Sequence, residues 1–239
     1  MRDDFRQPLQ NHWTQTLLGG GTLTSVDDAL RMGFDKAEQG TYSDAQIDDY
    51  SRLKRADYPW RPPLRMEVEA RSSLPSTGSA DSVLQGTAGF GFWNYPFSVR
   101  GDILALPEAV WFFYASPPSN MALVPGIPGW GWKAQVVHSM RPGAFLSAVP
   151  MALSTSLALL TGEIRPAARW MQRLTGTREA VLDTDLTTWH TYTLEWYMHE
   201  ALFRVNGLEV LRAPNPPTRP LGFVAWLDNQ FAIATPRGV

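Results

Sequence analysis

An all-β sandwich is the fold class that this sequence predicts, and three observations predict it. Apolar and polar residues alternate at period two, most plainly in "LRMEVEAR", where Leu64, Met66, Val68 and Ala70 interleave with Arg65, Glu67, Glu69 and Arg71. The chain contains 19 Gly, 19 Pro and 10 Trp, a composition that fits short aromatic strands joined by tight turns. Asn206-Gly207 sits between alternating residues, and such a dipeptide favours a two-residue hairpin turn.

The elements follow in order. "GGGTLTSVDDALRMGF" reads as a glycine turn followed by a strand or two, and "YSDAQIDDYSRL" (42–53) as a strand between acidic turns. The strand in 62–73 leads into a polar loop, 73–82. "GTAGFGFWNYPF" (86–97) is a glycine-aromatic strand, as expected where a second backbone or a ligand comes close. "LPEAVWFFYASPPS" (106–119) and "WKAQVVHSM" (132–140) continue the β pattern, separated by the loop "PGIPGWGW". Between 150 and 174 the apolar spacing becomes helical, through Leu153, Leu157, Leu160, Ile164, Ala168 and Met171, which predicts a short helical insertion. Three strands then occupy 189–214, turning at "MHEA" and "NG", and a last strand or pair occupies 220–233.

The 239 residues are 44% hydrophobic and 18% charged, enough apolar material for one β domain with an N-terminal extension. The net charge of −2 and the lack of a basic run argue against nucleic acid or an anionic membrane as partner. Without cysteine there is no disulfide framework and no thiol nucleophile. The N-terminus shows no apolar signal segment and no stretch of 18 apolar residues occurs, so the expected location is cytoplasmic. Phosphate-loop, G-x-S-x-G and H-E-x-x-H motifs are absent, and the acidic segments lack calcium-loop spacing; no metal and no cofactor is expected.

"WHTYTLEWYMHEALFRVNGLEV" resembles the stretch of family-16 glycoside hydrolases in which His-Thr-Tyr precedes Glu-Trp and a hairpin closes on Asp-Gly or Asn-Gly. "LRMEVEARSSLP" followed by "GTAGFGFWNYP" resembles that family's strand pair, and the blocks together span Leu64 to Leu227. The resemblance implies a concanavalin A-like jelly roll with a cleft on its concave sheet. It also implies a catalytic strand Glu-x-Asp-x-(x)-Glu, with two carboxyls about 5–5.5 Å apart for a retaining mechanism. Here Glu108 takes the first position, Val110 the Asp position, and Phe112 or Phe113 the last. Glycosidase activity by that mechanism is therefore not expected, and the cleft should be apolar rather than acidic.

The expected ligand is a small molecule or carbohydrate, bound by Trp93, Asn94, Trp111, Phe113, Trp130, Trp132, Trp226 and Asp228. Indoles stack on sugar faces or apolar rings, and the polar groups orient the ligand. Of the run 111–114, two residues must enter the core and two can line a cleft. An alternative reading is an enzyme of cyclase, isomerase or lyase type, with Glu108 and His138 as acid and base. In the plainer reading of the same residues, Glu108 is a solvated strand entry and His138 a core or rim histidine. A third reading is an interaction module whose cleft is filled by its own side chains. Glu67 and Glu69 share a strand face with Arg65 and Arg71, which reads better as a solvated face than as a carboxylate pair. By the resemblance His190 and Glu195 are structural and Trp196 belongs to the core.

Overall fold

A computed structural model describes residues 1–5, 9–34, 41–76, 78, 82–96, 105–117, 119, 122–124, 126–138 and 176–229. The expected helical insertion at 150–174 lies outside the described residues.

The described strands are β1 (Thr14–Leu18), β2 (Gly21–Val26), β3 (Ala29–Phe34), β4 (Asp44–Asp48), β5 (Leu64–Ala70), β6 (Thr87–Trp93), β7 (Glu108–Ala115), β8 (Gly131–His138), β9 (Arg178–Val181), β10 (His190–Trp196), β11 (Glu200–Val205), β12 (Leu208–Pro214) and β13 (Gly222–Asp228). They form a seven-stranded sheet, β1-β4-β13-β6-β7-β8-β9, a four-stranded sheet, β12-β11-β10-β5, and a β2-β3 hairpin. The two larger sheets pack as the expected jelly-roll sandwich. Among the described residues, no helix is long and apolar enough to cross a membrane.

Alternation explains the packing. Phe90, Phe92, Val110, Phe112, Tyr114, Trp132, Ala134 and Val136 of the large sheet meet Met66, Tyr192, Leu194, Trp196, Ala201, Phe203 and Val205 of the small one. Phe112 packs edge-on against Phe203 at 5.3 Å and Tyr192 at 5.1 Å, ring geometries that add to area burial. Arg65, Glu67 and Glu69 stand on the exposed face of β5, as the alternation predicts, and Arg65 pairs with Glu67 there. Asn206 adopts a positive φ of 50° and Gly207 one of 81°, the conformation a tight hairpin between β11 and β12 requires.

Candidate functional site

The same alternation directs the other half of each strand away from the sandwich core. On the outer face of the large sheet, antiparallel register assembles rows across the strands. One row runs Leu18, Asp44, Asp228, Thr87 and Ala115 on β1, β4, β13, β6 and β7. The next runs Thr16, Gln46, Trp226, Gly89 and Phe113, and a third contains Asp48, Val224, Gly91 and Trp111. Trp93 follows Gly91 on that face. Neighbouring positions lie about 4.8 Å apart across strands and about 6.5–7 Å apart along one face.

Over these rows lies a cavity of about 480 Å³. Its aromatic wall is continuous: Trp93 lies 5.8 Å from Trp111, Trp111 is stacked on Phe113 at 5.6 Å, and Trp226 lies 5.1 Å from Trp111. Tyr50, Tyr58 and Tyr95 extend it beyond Trp93. Two glycines make the floor possible. A β-carbon at Gly89 would come within 2.7 Å of the Trp226 ring and 2.3 Å of the Phe112 carbonyl oxygen. One at Gly91, whose φ is +148°, would meet Trp111 Cβ at 2.5 Å. The "GFGFW" pattern therefore leaves room for two indoles to lie against the sheet.

Polar groups fix the rings. The Trp226 indole N–H donates to the Thr87 hydroxyl at 3.0 Å, and Thr87 donates through both its backbone N–H and its hydroxyl to Asp228. The Trp111 N–H donates to Gln135 at 2.5 Å, and Gln135 donates to Glu179. Glu179 and Lys133 form an ion pair at 3.7 Å in which each side chain is 1% exposed. Burial raises the Glu179 pKa and lowers that of Lys133, and each charge opposes the shift of the other.

At the far end of the cavity Asp44 faces Asp228 across the β4–β13 pair. Burial, then the nearby Asp228 and Asp48 charges, push the Asp44 carboxyl up to about 7. Asp48 is fully buried and accepts from the Tyr50 N–H, the Ser51 N–H and hydroxyl, and the Gln46 amide.

The structure divides the expected site residues into two groups. Trp93, Trp111, Phe113, Trp226 and Asp228 line the cavity. Trp132 does not: it faces the interior of the sandwich, packed against Phe90, Phe112 and Tyr192, because even-numbered β8 residues point inward. Trp130 is 39% exposed in the loop before β8 and lies outside the lining. Asn94 is buried as a clamp, donating to the Leu106 carbonyl and accepting from the Glu108 N–H.

Glu108 and His138 are cross-strand partners, with His138 Nε2 3.7 Å from Glu108 Oε1. Both have the inward parity of Val110 and Phe112, at the ends of β7 and β8, and neither lines the cavity. Glu108 is 3% exposed, which excludes a solvated strand entry; burial raises its pKa, and His138 and Arg219 oppose that shift. The His138 Nδ1 meets the Asn215 carbonyl at 2.9 Å. The β7 residues that line the cavity are instead Trp111 and Phe113, and neither is a carboxylate.

Several residues at the site escaped the sequence reading: Asp44, Gln46, Tyr50, Tyr95, Lys133, Gln135 and Glu179. A signal existed for the first two. In "DAQID", Ala45 and Ile47 alternate with Asp44, Gln46 and Asp48, which marks a strand with one polar face. For the others, only the sheet order brings them together.

No protein-family model and no curated protein sequence matches the chain. Among solved structures, it is similar to an apo Crh5 transglycosylase, with 11% identity, a TM-score of 0.47, and coverage of 94% of this chain and 66% of that one. It is similar to the Bacillus licheniformis β-glucanase at 9% identity and a TM-score of 0.43, covering 96% of this chain and 89% of that chain. It is also similar to Rv0315, a pseudo β-1,3-glucanase of Mycobacterium tuberculosis, at 11% identity and a TM-score of 0.47, covering 99% and 91%. The chain thus spans slightly under two thirds of the Crh5 structure. The fold itself rests on the sheets described above, which form an antiparallel β-sandwich.

Proposed function

We propose that this chain is a non-glycosidase relative of family-16 glycoside hydrolases that binds a small sugar-bearing or ring-bearing ligand on the outer face of its large sheet. The observation that carries this reading is the indole-and-phenyl floor of Trp93, Trp111, Phe113 and Trp226, held by glycine gaps and hydrogen bonds beneath about 480 Å³ of open volume. Flat rings fixed in this way offer stacking faces, and Gln46, Thr87 and Asp228 offer hydroxyl partners beside them. The open volume argues against a module whose cleft is filled by its own side chains. Carboxylates are missing from the cavity face of β7, which supports a binding role over hydrolysis by the family mechanism.

A thermal-shift series against β-linked gluco- and galacto-oligosaccharides and against apolar ring compounds tests this reading. A ligand that binds only the native state raises its melting temperature. The expected result is a rise with at least one set that Trp226→Ala abolishes while the variant stays folded. No rise with either set, or a rise that Trp226→Ala leaves intact, overturns it.

The close approach of buried Glu108 to His138 supports a second reading, in which they act as acid and base for a non-glycosidic reaction. Their place outside the cavity lining weighs against it. Unchanged turnover of any substrate found, in the Glu108→Gln variant, rejects it.

A further inference from the structure

Strand β8 is buried on both of its faces. Gly131 to Val137 are all buried, without alternation. The even-numbered residues Trp132, Ala134 and Val136 enter the sandwich core. Lys133, Gln135 and Val137 point the other way, onto the face that carries the cavity, as their pairing with Phe113, Trp111 and Ala109 requires. An antiparallel sheet with one face in water alternates between buried and exposed residues. The outer face is therefore covered at β8.

The cover is the loop that precedes the strand. Lys133 Nζ donates to the Pro128 carbonyl at 2.5 Å, and the Val124 N–H bonds to the Glu179 carboxylate. The buried Lys133–Glu179 pair thus holds the loop by its backbone groups. Lifting the loop strips polar partners from two buried charges, which is costly, so the loop stays seated as a wall.

This wall stands in the path of the aromatic floor. Trp226 on β13, Trp93 on β6, and Trp111 with Phe113 on β7 run across the strands, and the next strand in that direction is β8. The described residues that line the cavity stop at β7. In the opposite direction the cavity reaches β4 and β1. Leu18 and Tyr42 line it there and are 48% and 42% exposed. The groove is closed at β8 and open at β1. From β7 to β1 it spans four strand spacings, about 19 Å.

Resting on the ligand-binding reading above, we propose that the site takes the end of a glycan chain and not its interior. The terminal ring lies on Trp111 and Phe113 against the wall, and the rest of the chain leaves past Leu18 and Tyr42. A chain bound by its middle has to cross β8, where Lys133 and Gln135 already lie beneath the loop. A groove open at both ends accepts any segment of a polymer. A groove closed at one end accepts only a terminus, and the two termini of a glycan differ chemically, so each chain offers one.

Isothermal titration of the whole protein tests this. The probes are β-1,3- and β-1,4-linked gluco-oligosaccharides and β-1,4-linked galacto-oligosaccharides of two to eight units, with laminarin and linear β-1,4-galactan as polymers, all compared at equal molar concentration of chains. The expected result in any series that binds is one protein per chain at every length, polymer included. Affinity should rise over the first few units and then change by less than about twofold from hexamer to octamer. If the number of proteins per chain rises in proportion to chain length, the chain-end proposal is overturned and the sugar-binding reading stands. If no series binds, the chain-end proposal is overturned as well, and the thermal-shift response to apolar ring compounds decides the broader reading.

Discussion

The indole N–H of Trp111 donates to Gln135 Oε1 at 2.5 Å, and this bond connects the floor of the cavity to the buried Lys133–Glu179 ion pair. The chain Trp111–Gln135–Glu179–Lys133 crosses three neighbouring strands and ends where Lys133 donates to the Pro128 carbonyl at 2.5 Å. A ring that faces open volume is thereby held by groups that are almost fully buried.

Gln135→Leu removes the acceptor for Trp111 and the donor to Glu179. The expected loss is about 1–3 kcal/mol of stability, since a buried carboxylate oxygen loses its partner. Ligand affinity should fall as well, because the indole is free to rotate out of the floor. Urea unfolding and titration of a bound ligand measure the two effects separately.

Lys133→Met leaves the Glu179 carboxylate buried without its cation. A loss of about 3–5 kcal/mol is expected from breaking one side of such a pair. Removing both charges, as Lys133→Met with Glu179→Leu, should restore much of that loss, and a double-mutant cycle in denaturant reads the coupling. Equal destabilisation by the single and double variants would contradict the pairing.

Asp44 titrates near 7 in the folded protein and in the ordinary aspartate range when unfolded. A raised folded pKa means that the folded state holds the proton more tightly. Its stabilising effect is complete below about pH 4 and is lost as pH rises to 7. Asp44→Asn removes this loss. The variant should therefore melt higher than wild type at pH 8, with the gap closing towards pH 4, as thermal unfolding across that range will show.

Gly91→Ala forces a β-carbon into the space of Trp111 Cβ and places alanine at a φ of +148°. Overpacking of this kind costs about 1–3 kcal/mol, and the positive φ adds to it. The Trp111 ring must move, so tryptophan fluorescence should shift and ligand affinity should drop. Unaltered fluorescence with full affinity would show that the glycine gap does not set the floor.

Glu108→Gln leaves the Asn94 clamp intact, because Asn94 bonds the Glu108 backbone rather than its carboxyl. Binding in the cavity should be unchanged, as Glu108 does not line it. Titration of the variant with a cavity ligand checks this.

Much of the fold was legible because alternation is a local property. Leu64, Met66, Val68 and Ala70 announce an inward face whatever strand lies beside them, and Asn206-Gly207 announces its turn. The site was legible in part. Trp93, Trp111, Phe113 and Trp226, which line the cavity, were singled out as candidates because aromatic residues on strands, and the strand aligned with the family's catalytic one, are conspicuous in the text. Trp132 was read with them and faces the core instead, since a one-residue change of parity moves a side chain to the opposite face of a sheet. Glu108 shows the same effect. By resemblance it takes the first catalytic position, but its parity turns it inward beside His138, and Ala109 holds the outward position.

The amino-acid sequence by itself determined that this protein is a β-sandwich and where most of its strands lie, though β1 (Thr14–Leu18) and β9 (Arg178–Val181) were not read from it. Period-two patterning and turn residues act over a few neighbouring positions, so they can be read without knowing what packs where. Tertiary structure alone decided that Asp44 meets Asp228, 184 positions away in the chain. It also placed Lys133 against Glu179 and separated the Glu108–His138 pair from the cavity. Those relationships depend on the strand order β4-β13-β6-β7-β8-β9 and on pairing register, which long-range packing of the two sheets sets and no local pattern encodes.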